Sequence, residues 1–166
     1  MGTKGAAGFD AFVDARAPRL LRTAHLLCGD RHEAERLLGE ALAHTWRSWG
    51  RGRTLIAAEN HALRRLVASA KAVTPPPPPS RPLPGGLGLD PPERVAARGA
   101  LRRVLGGLTA DERAVLVLRH ADGLPVERVA LVTGLSVEQV TLHEQAGLGA
   151  LERAEELAGY TAGVAG

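Results

Sequence analysis

Cysteine, aromatic residues and long apolar runs are all scarce in this sequence of 166 residues. Cys28 is the one cysteine, so no internal disulfide can form, and a small apolar helical residue in a reducing compartment is the expected role. Aromatic residues make up 3% of the chain, which disfavours β-sheets, because strands are enriched in aromatic and β-branched residues. No apolar run is long enough to span a bilayer, and the first residues lack a signal-peptide core. We therefore predict a helical, cytoplasmic protein without a membrane segment.

Patterns typical of catalysis or metal binding are incomplete. The segment HEAER begins like a zinc-protease helix, but Arg36 stands where the second histidine of His-Glu-x-x-His is required. The glycine cluster at Gly85 follows no predicted strand and lacks the Lys-Ser/Thr of a phosphate-binding loop. We therefore predict neither an enzyme nor a bound cofactor or metal.

Charge is unevenly distributed along the chain. Residues 1–74 contain 12 Lys and Arg against 7 Asp and Glu, whereas residues 75–166 contain 9 against 11. Because nucleic acids are polyanions, this distribution favours the N-terminal half as the one that binds nucleic acid.

A proline-rich segment, TPPPPPSRPLPGGLGLDPP, divides the sequence. Consecutive prolines lack amide donors and favour an extended conformation, and the glycines after them loosen it. A ligand for a proline-reading domain is the alternative interpretation. The overall prediction is an all-α protein with two small helical domains, residues 1–73 and 92–166, joined by a Pro/Gly-rich linker over 74–91.

Apolar spacing predicts three helices in the first domain. The first is FDAFVDARAPRLLRTAHLLCG, which Pro18 should kink or interrupt, and Gly29 and Asp30 should end it and cap the next helix. The second is RHEAERLLGEALAHTWRSW, and the third is TLIAAENHALRRLVASAKA. The apolar residues that the third helix should bury are Leu55, Ile56, Leu63, Leu66 and Val67.

Capping patterns mark the helices of the second domain. Pro92 suits a first helical position. Thr109 and Glu112 have the spacing of a capping box, and Ser136 and Gln139 have the same spacing before the last helix.

The last two helices have the pattern of a helix-turn-helix. Ala130 supplies a small residue where the helices touch, Gly134 tolerates positive φ in the turn, and Val140 faces back from the second helix. A generic helical hairpin is the alternative, but the combined spacing favours the helix-turn-helix.

The second helix of this unit is unexpectedly acidic for a helix that normally enters the DNA major groove. Residues 137–157 contain five Glu and one Arg, whereas phosphate contacts by cations supply much of the affinity for DNA. Gln139 and His143 are its candidate DNA-binding residues, because an amide can pair with adenine and because His143 is a nearby polar group.

The order of these segments resembles the extracytoplasmic-function group of the sigma-70 family, in the short form common in actinobacteria. FVDARAPRLLRTAHLLCGDRHEAERLLGEALAHTWRSW is similar to the family's second conserved region, and LTADERAVLVLRHADGLPVERVALVTGLSVEQV is similar to its fourth. The resemblance implies a transcription initiation protein that binds RNA polymerase core and promoter DNA. An anti-sigma factor or another protein is a further partner that it implies.

The resemblance also implies which residues bind. In the family, the second helix docks on the clamp helices of RNA polymerase, which here implies contacts by Leu37, Leu38, Glu40, Leu42 and Trp46. The family's third helix and the loop before it melt the promoter duplex and read its sequence. Here this implies DNA contacts by Arg51, Arg53, Asn60, Arg64 and Arg65. Core packing is the alternative for Trp46, and a solvated face is the alternative for the arginines.

Three features depart from the family's pattern. Arg36 and Gly39 replace an acidic residue and a glutamine, the loop between Trp49 and Thr54 is short, and the last helix has lost the family's basic residues except for one Arg. These departures support a second interpretation, a degenerate paralogue that acts as a protein-interaction or regulatory module with little or no DNA binding.

Overall fold

The computed structural model describes the backbone of residues 3–49, 54–75 and 92–164. All regular structure in these ranges is helical, as predicted. The first half contains α1 (Thr3–Cys28), α2 (Arg31–Arg47) and α3 (Leu55–Lys71). The second half contains α4 (Pro92–Gly107), α5 (Ala110–Leu116), α6 (Val126–Thr133) and α7 (Val137–Val164), with a π-helical turn at Val117–Ala121 after α5. Most of the predicted linker lies outside the described residues.

The predicted boundary between α1 and α2 is confirmed, whereas α1 begins before the predicted Phe9 and α2 ends before the predicted Trp49. Gly29 has a φ of 75°, and the Asp30 side chain accepts a hydrogen bond from the backbone N–H of Glu33 at 2.8 Å. The Thr54 hydroxyl accepts from the Ala57 N–H in the same way at the start of α3. Each cap supplies a partner to an amide that has none within its own helix.

Pro18 does not interrupt α1, so of the two predicted effects of this proline, a kink or a break, the break is excluded. The helix continues on both sides of it, and Phe12, Leu20 and Leu27 are all buried along its length. Burial of this apolar face on both sides of the proline offsets the helical hydrogen bond that proline cannot donate.

The core of the first half lies between α1, α2 and α3. Its largest fully buried side chains are Phe12, Leu20, Leu37, Leu63 and Leu66. The prediction for the start of α3 is wrong, because Leu55 is 57% exposed and Ile56 is 62% exposed. Neighbouring helices cover α3 only from Ala58 onward, so the apolar residues of the first turn remain in solvent.

Gly39 lies exposed on α2, and no atom lies within 4 Å of the position that a Cβ would take. We expect Gly39→Ala to raise the free energy of unfolding by about 0.5–1 kcal/mol, because glycine loses more backbone entropy in a helix than alanine does. Urea denaturation followed by circular dichroism measures the change. The matched control Gly29→Ala should destabilise the chain, because alanine is strained at a φ of 75°. Equal effects of the two substitutions would contradict this account.

The helix-turn-helix forms as predicted in the second half. Gly134 ends α6 in the left-handed conformation with a φ of 77°. Val140 is fully buried, and Ala130 packs beside the same core. The Ser136 hydroxyl accepts from the Gln139 N–H, and the Gln139 side-chain oxygen accepts from the Ser136 N–H, which completes the capping box.

The two halves of the chain pack directly against each other. Helix α3 contacts α5 and α6, and α1 contacts the π-helical turn and α4. The buried apolar residues of both halves form one continuous cluster. At its edge the Lys71 ammonium lies 2.5 Å from the Asp111 carboxylate. The sequence left this packing open, and it determines the surroundings of several candidate site residues.

Candidate functional site

Three of the predicted polymerase contacts form a stripe along α2. Leu38, Leu42 and Trp46 follow one another at four-residue spacing, which places them on one side of a helix, and each is half-buried. Leu42 and Trp46 also line a shallow apolar groove of about 430 Å³ between α1 and α2. Glu40 is exposed on the same helix, but it lies two residues from both Leu38 and Leu42, which places it on the other side of α2. The stripe is therefore an apolar surface, and the predicted acidic contact does not lie beside it.

Leu37 requires a correction to the predicted site. It is 0% exposed and lies in the core between the first three helices. A residue with no exposed surface stabilises the fold and cannot contact another protein in this conformation. Sequence spacing alone could not separate Leu37 from Leu38, because both fall on the apolar side of α2.

Trp46 is packed against other aromatic rings and is also partly exposed. Its ring centroid lies 4.9 Å from that of Phe9, and Phe9 lies 5.2 Å from Trp49 in the same aromatic cluster. Part of Trp46 nevertheless remains exposed and faces the groove. Such a half-buried aromatic, fixed by its neighbours, suits an anchor in a protein interface.

The unusual cation on α2 is offset by its neighbours. The Arg36 guanidinium donates to both oxygens of Glu33 and, at 2.5 Å, to Glu40. The bond from Arg36 lowers the pKa of Glu33, and that same contact raises the pKa of Arg36. Because two carboxylates flank one guanidinium, the side of α2 that carries Glu33, Arg36 and Glu40 keeps a net negative charge. The Arg36 charge is therefore already paired within its own helix.

The described DNA-binding candidates on α3 already have partners within the chain. Asn60 accepts a hydrogen bond of 2.7 Å from Arg128, and Arg64 donates to the backbone oxygen of Leu131 at 3.3 Å. Arg65 lies 3.0 Å from the His44 ring, toward α2. These three side chains do not form one open basic surface in this packing. Arg51 and Arg53 lie outside the described residues.

The candidates on α7 are close to its first turn. The side-chain oxygen of Gln139 is used in the capping box, although the residue remains exposed. His143 is half-buried. A hydrogen bond from its own backbone amide lowers the pKa of Glu138, which is exposed at the helix start.

Glu144 has a structural role that charge counting missed. It accepts two hydrogen bonds from Arg119, at 3.1 and 3.2 Å, and its carboxylate lies 2.9 Å from the His120 ring. Arg119 also donates to the backbone oxygen of Leu124. Glu144 thus connects α7 to the turn before α6, and its charge is already paired.

Sequence reasoning also missed a set of polar residues between the two halves. The carboxylate of Asp122 is fully buried and accepts from the Thr23 hydroxyl at 2.8 Å and from Arg19 at 3.3 Å. Glu59 is 3% exposed and lies 2.9 Å from Arg128 and 3.6 Å from Arg19. One sequence signal for these residues was available. Glu59 lies among the apolar residues of the predicted third helix, and a buried carboxylate requires a partner.

The described residues contain neither a membrane-spanning helix nor a metal-binding cluster. None of their helices is both long and apolar enough to cross a membrane. Their His, Cys, Asp and Glu side chains form no group of three suited to a metal ion.

Comparisons with known proteins agree with the helix-turn-helix. Residues 98–148 match the family model described as "Sigma-70, region 4". The chain is 33% identical over 142 residues to the RNA polymerase sigma-E factor of Streptomyces coelicolor, a match that covers 81% of this chain and 80% of that protein. It is 32% identical over 142 residues to the corresponding factor of Streptomyces avermitilis, with 81% and 79% covered.

A solved structure shares the fold. The sigma factor RpoE of Bartonella quintana, determined in complex with the anti-sigma factor NepR, superimposes with a TM-score of 0.64 at 19% sequence identity. The superposition covers 90% of this chain and 97% of that one.

Proposed function

The chain belongs to the extracytoplasmic-function group of RNA polymerase sigma factors, and from this premise we propose that it brings core RNA polymerase to promoter DNA at transcription initiation. The observation that carries the proposal is the similarity to sigma-E factors over 81% of the chain, which spans both halves. The packed helix-turn-helix agrees with this proposal. The similarity to sigma-E factors over both halves disfavours the alternative, a degenerate paralogue that acts as a protein-interaction or regulatory module with little or no DNA binding.

We assign polymerase docking to α2. Leu38, Leu42 and Trp46 provide half-buried apolar contacts, two of them at the groove, and Glu40 would add an acidic contact from the other side of the helix. Leu37 supports this surface from the core. Interfaces draw most of their energy from a few such partly buried apolar and aromatic anchors.

We assign promoter binding to both halves. Residues 1–73 would contact the opened promoter through Arg51, Arg53, Asn60, Arg64 and Arg65. Residues 92–166 would contact duplex DNA through Gln139 and His143, and residues 74–91 would connect the two. Guanidinium groups suit binding to single-stranded backbone, and amide side chains suit base edges in the major groove.

Two measurements on the purified full chain test the proposal. Co-elution with core RNA polymerase in size-exclusion chromatography tests docking. Run-off transcription from a pool of genomic promoter fragments, identified by sequencing the transcripts, tests promoter selection. We expect both to succeed, and absence of co-elution at micromolar concentrations would overturn the proposal.

We also expect α7 to contribute little affinity for duplex DNA, because its exposed side offers almost no cation for phosphate. Replacing Glu138 and Gln145 with lysine should strengthen duplex binding at least tenfold at low salt and steepen its salt dependence, since each added phosphate contact releases counterions. Both side chains are exposed, so the fold should persist. Fluorescence anisotropy with a labelled duplex, at several salt concentrations, measures both quantities.

Two controls accompany this pair. Asp14→Lys with Ala15→Lys adds the same charge on the exposed side of α1 and should change duplex affinity much less. Glu144→Lys should destabilise the chain, because it leaves Arg119 without its carboxylate partner. If the α1 pair strengthened binding as much as the α7 pair, net charge and not the position of α7 would be responsible.

A further inference from the structure

A continuous polar network joins the two halves of the chain. Arg19 contacts both Asp122 and Glu59, at 3.3 and 3.6 Å. The other oxygen of Glu59 lies 2.9 Å from Arg128, which donates at 2.7 Å to Asn60. We call these five residues the inter-half network. It connects α1 and α3 of the first half to the π-helical turn and α6 of the second.

The two carboxylates of this network are buried and therefore depend on their partners. The side chains of Asp122 and Glu59 are 0% and 4% exposed. In such surroundings each carboxylate requires its cationic partners, because a buried unpaired charge is strongly unfavourable. The partners come from both halves, so the network is complete only while the halves are packed together.

The same network can be opened at a moderate cost. Separation of the halves would return all of its charges to water, and hydration would offset much of the lost attraction. A contact held by buried ion pairs is therefore easier to exchange for another partner than an apolar core of equal size. The apolar part of the inter-half contact, where buried residues of both halves form one cluster, is exposed at the same time and adds to the cost of opening.

The contact uses groups to which we assign promoter binding. Arg128 donates to the side-chain oxygen of Asn60, and one terminal nitrogen of Arg64, which is otherwise exposed, donates to the Leu131 carbonyl at 3.3 Å. Single-stranded DNA that bonded these same atoms would have to displace both partners. The helix-turn-helix and the DNA thus compete for the same groups.

We propose that this packing is an autoinhibitory contact, in which Arg128 holds the helix-turn-helix on the promoter-binding face of α3 until the chain opens. The proposal rests on the promoter-binding role assigned to α3. Its physical basis is the competition for Asn60 and Arg64, together with the dependence of the buried carboxylates on partners from the other half.

The first test measures opening without DNA or polymerase. Spin labels at Gly39→Cys and Ala146→Cys, both exposed, report the distance between the halves in a Cys28→Ala background by pulsed electron paramagnetic resonance. Arg128→Ala should increase the fraction of long distances about tenfold, which corresponds to about 1.4 kcal/mol. The neighbouring exposed residue provides the control Glu127→Ala, which should leave the distances unchanged.

A second variant is included because a misfolded Arg128→Ala variant would give no information about opening. The Arg22 side chain is 60% exposed and donates to the backbone oxygen of Ala121 across the contact. Arg22→Ala should therefore leave both halves folded and increase opening by a smaller factor. If both variants remain folded and closed, the proposal is overturned.

The second test measures the consequence for DNA. A labelled single-stranded oligonucleotide of mixed sequence should bind Arg128→Ala about tenfold more tightly than the parent, and adding Arg64→Ala should remove the gain. An open variant with unchanged affinity for the oligonucleotide would overturn the autoinhibitory role. Co-elution with core polymerase is measured separately. If co-elution fails while the variants open and bind the oligonucleotide more tightly, the proposed function is rejected and the autoinhibitory contact is supported.

Discussion

Leu38→Asp is expected to lower the affinity of the full chain for core RNA polymerase about 100-fold while the chain stays folded. Leu38 is half-buried on the stripe of α2 to which we assign docking. In a complex its carboxylate would be enclosed in an apolar contact without a partner, and such burial is strongly unfavourable. In the free chain it can still reach water, so the loss of stability should be only about 1–2 kcal/mol, the lost apolar burial of part of a leucine.

The neighbouring residue provides a matched control. Leu37 is fully buried, so Leu37→Asp should unfold the first half and lose its helical circular dichroism. Leu101→Asp, at a leucine that is 41% exposed on α4, should preserve both the fold and the affinity. Fluorescence anisotropy against core polymerase, with urea denaturation of each variant, measures the two effects independently. A folded Leu38→Asp variant that binds like the parent would exclude this stripe from the interface.

Gly147→Ala is expected to destabilise the second half, although alanine is the better helix former. A Cβ at this position would lie 2.6 Å from Cδ1 and 2.8 Å from Cγ of Leu116, which is itself 4% exposed. The leucine has little room to move within a packed core, so α5 or α7 must shift. Overpacking of this kind typically costs about 1–3 kcal/mol. The melting temperature should then fall by roughly 2–4 °C for each kcal/mol lost.

Replacement of glycine by alanine two residues later, at Gly149, should raise the stability of the chain instead of lowering it. A Cβ at Gly149 would meet only the end of the flexible Arg153 side chain, at 3.3 Å. Gly149→Ala should therefore stabilise the chain by about 0.5–1 kcal/mol through helix propensity alone. Differential scanning calorimetry of both variants measures the difference. Equal stabilisation by the two substitutions would show that α7 does not approach α5 closely at Gly147.

Local features were the most predictable part of this fold. Asp30, Thr109 and Ser136 were identified as caps from their spacing, and each makes the expected bond. The turn glycine and the buried valine of the helix-turn-helix were also correct. These predictions succeed because a cap or a turn depends on residues only a few positions apart.

Predictions that depended on packing were less reliable. Pro18 lies inside a continuous helix, and Leu55 and Ile56 are exposed despite their apolar character. Leu37 and Leu38 cannot be distinguished by periodicity, yet one is core and the other lies at the surface. In each case the outcome depends on which other helix lies alongside, and one helix's sequence does not contain that information.

The helices, most of their caps, the helix-turn-helix and the family resemblance could be read from the order of the residues. Which charges are available for binding depends on the packing of the helices. Glu144 is paired with Arg119, and Asn60 and Arg64 are occupied by the helix-turn-helix. Helix formation follows from bonds between near neighbours in the chain, whereas the pairing of a charge depends on distant residues that folding brings within about 3–4 Å of it.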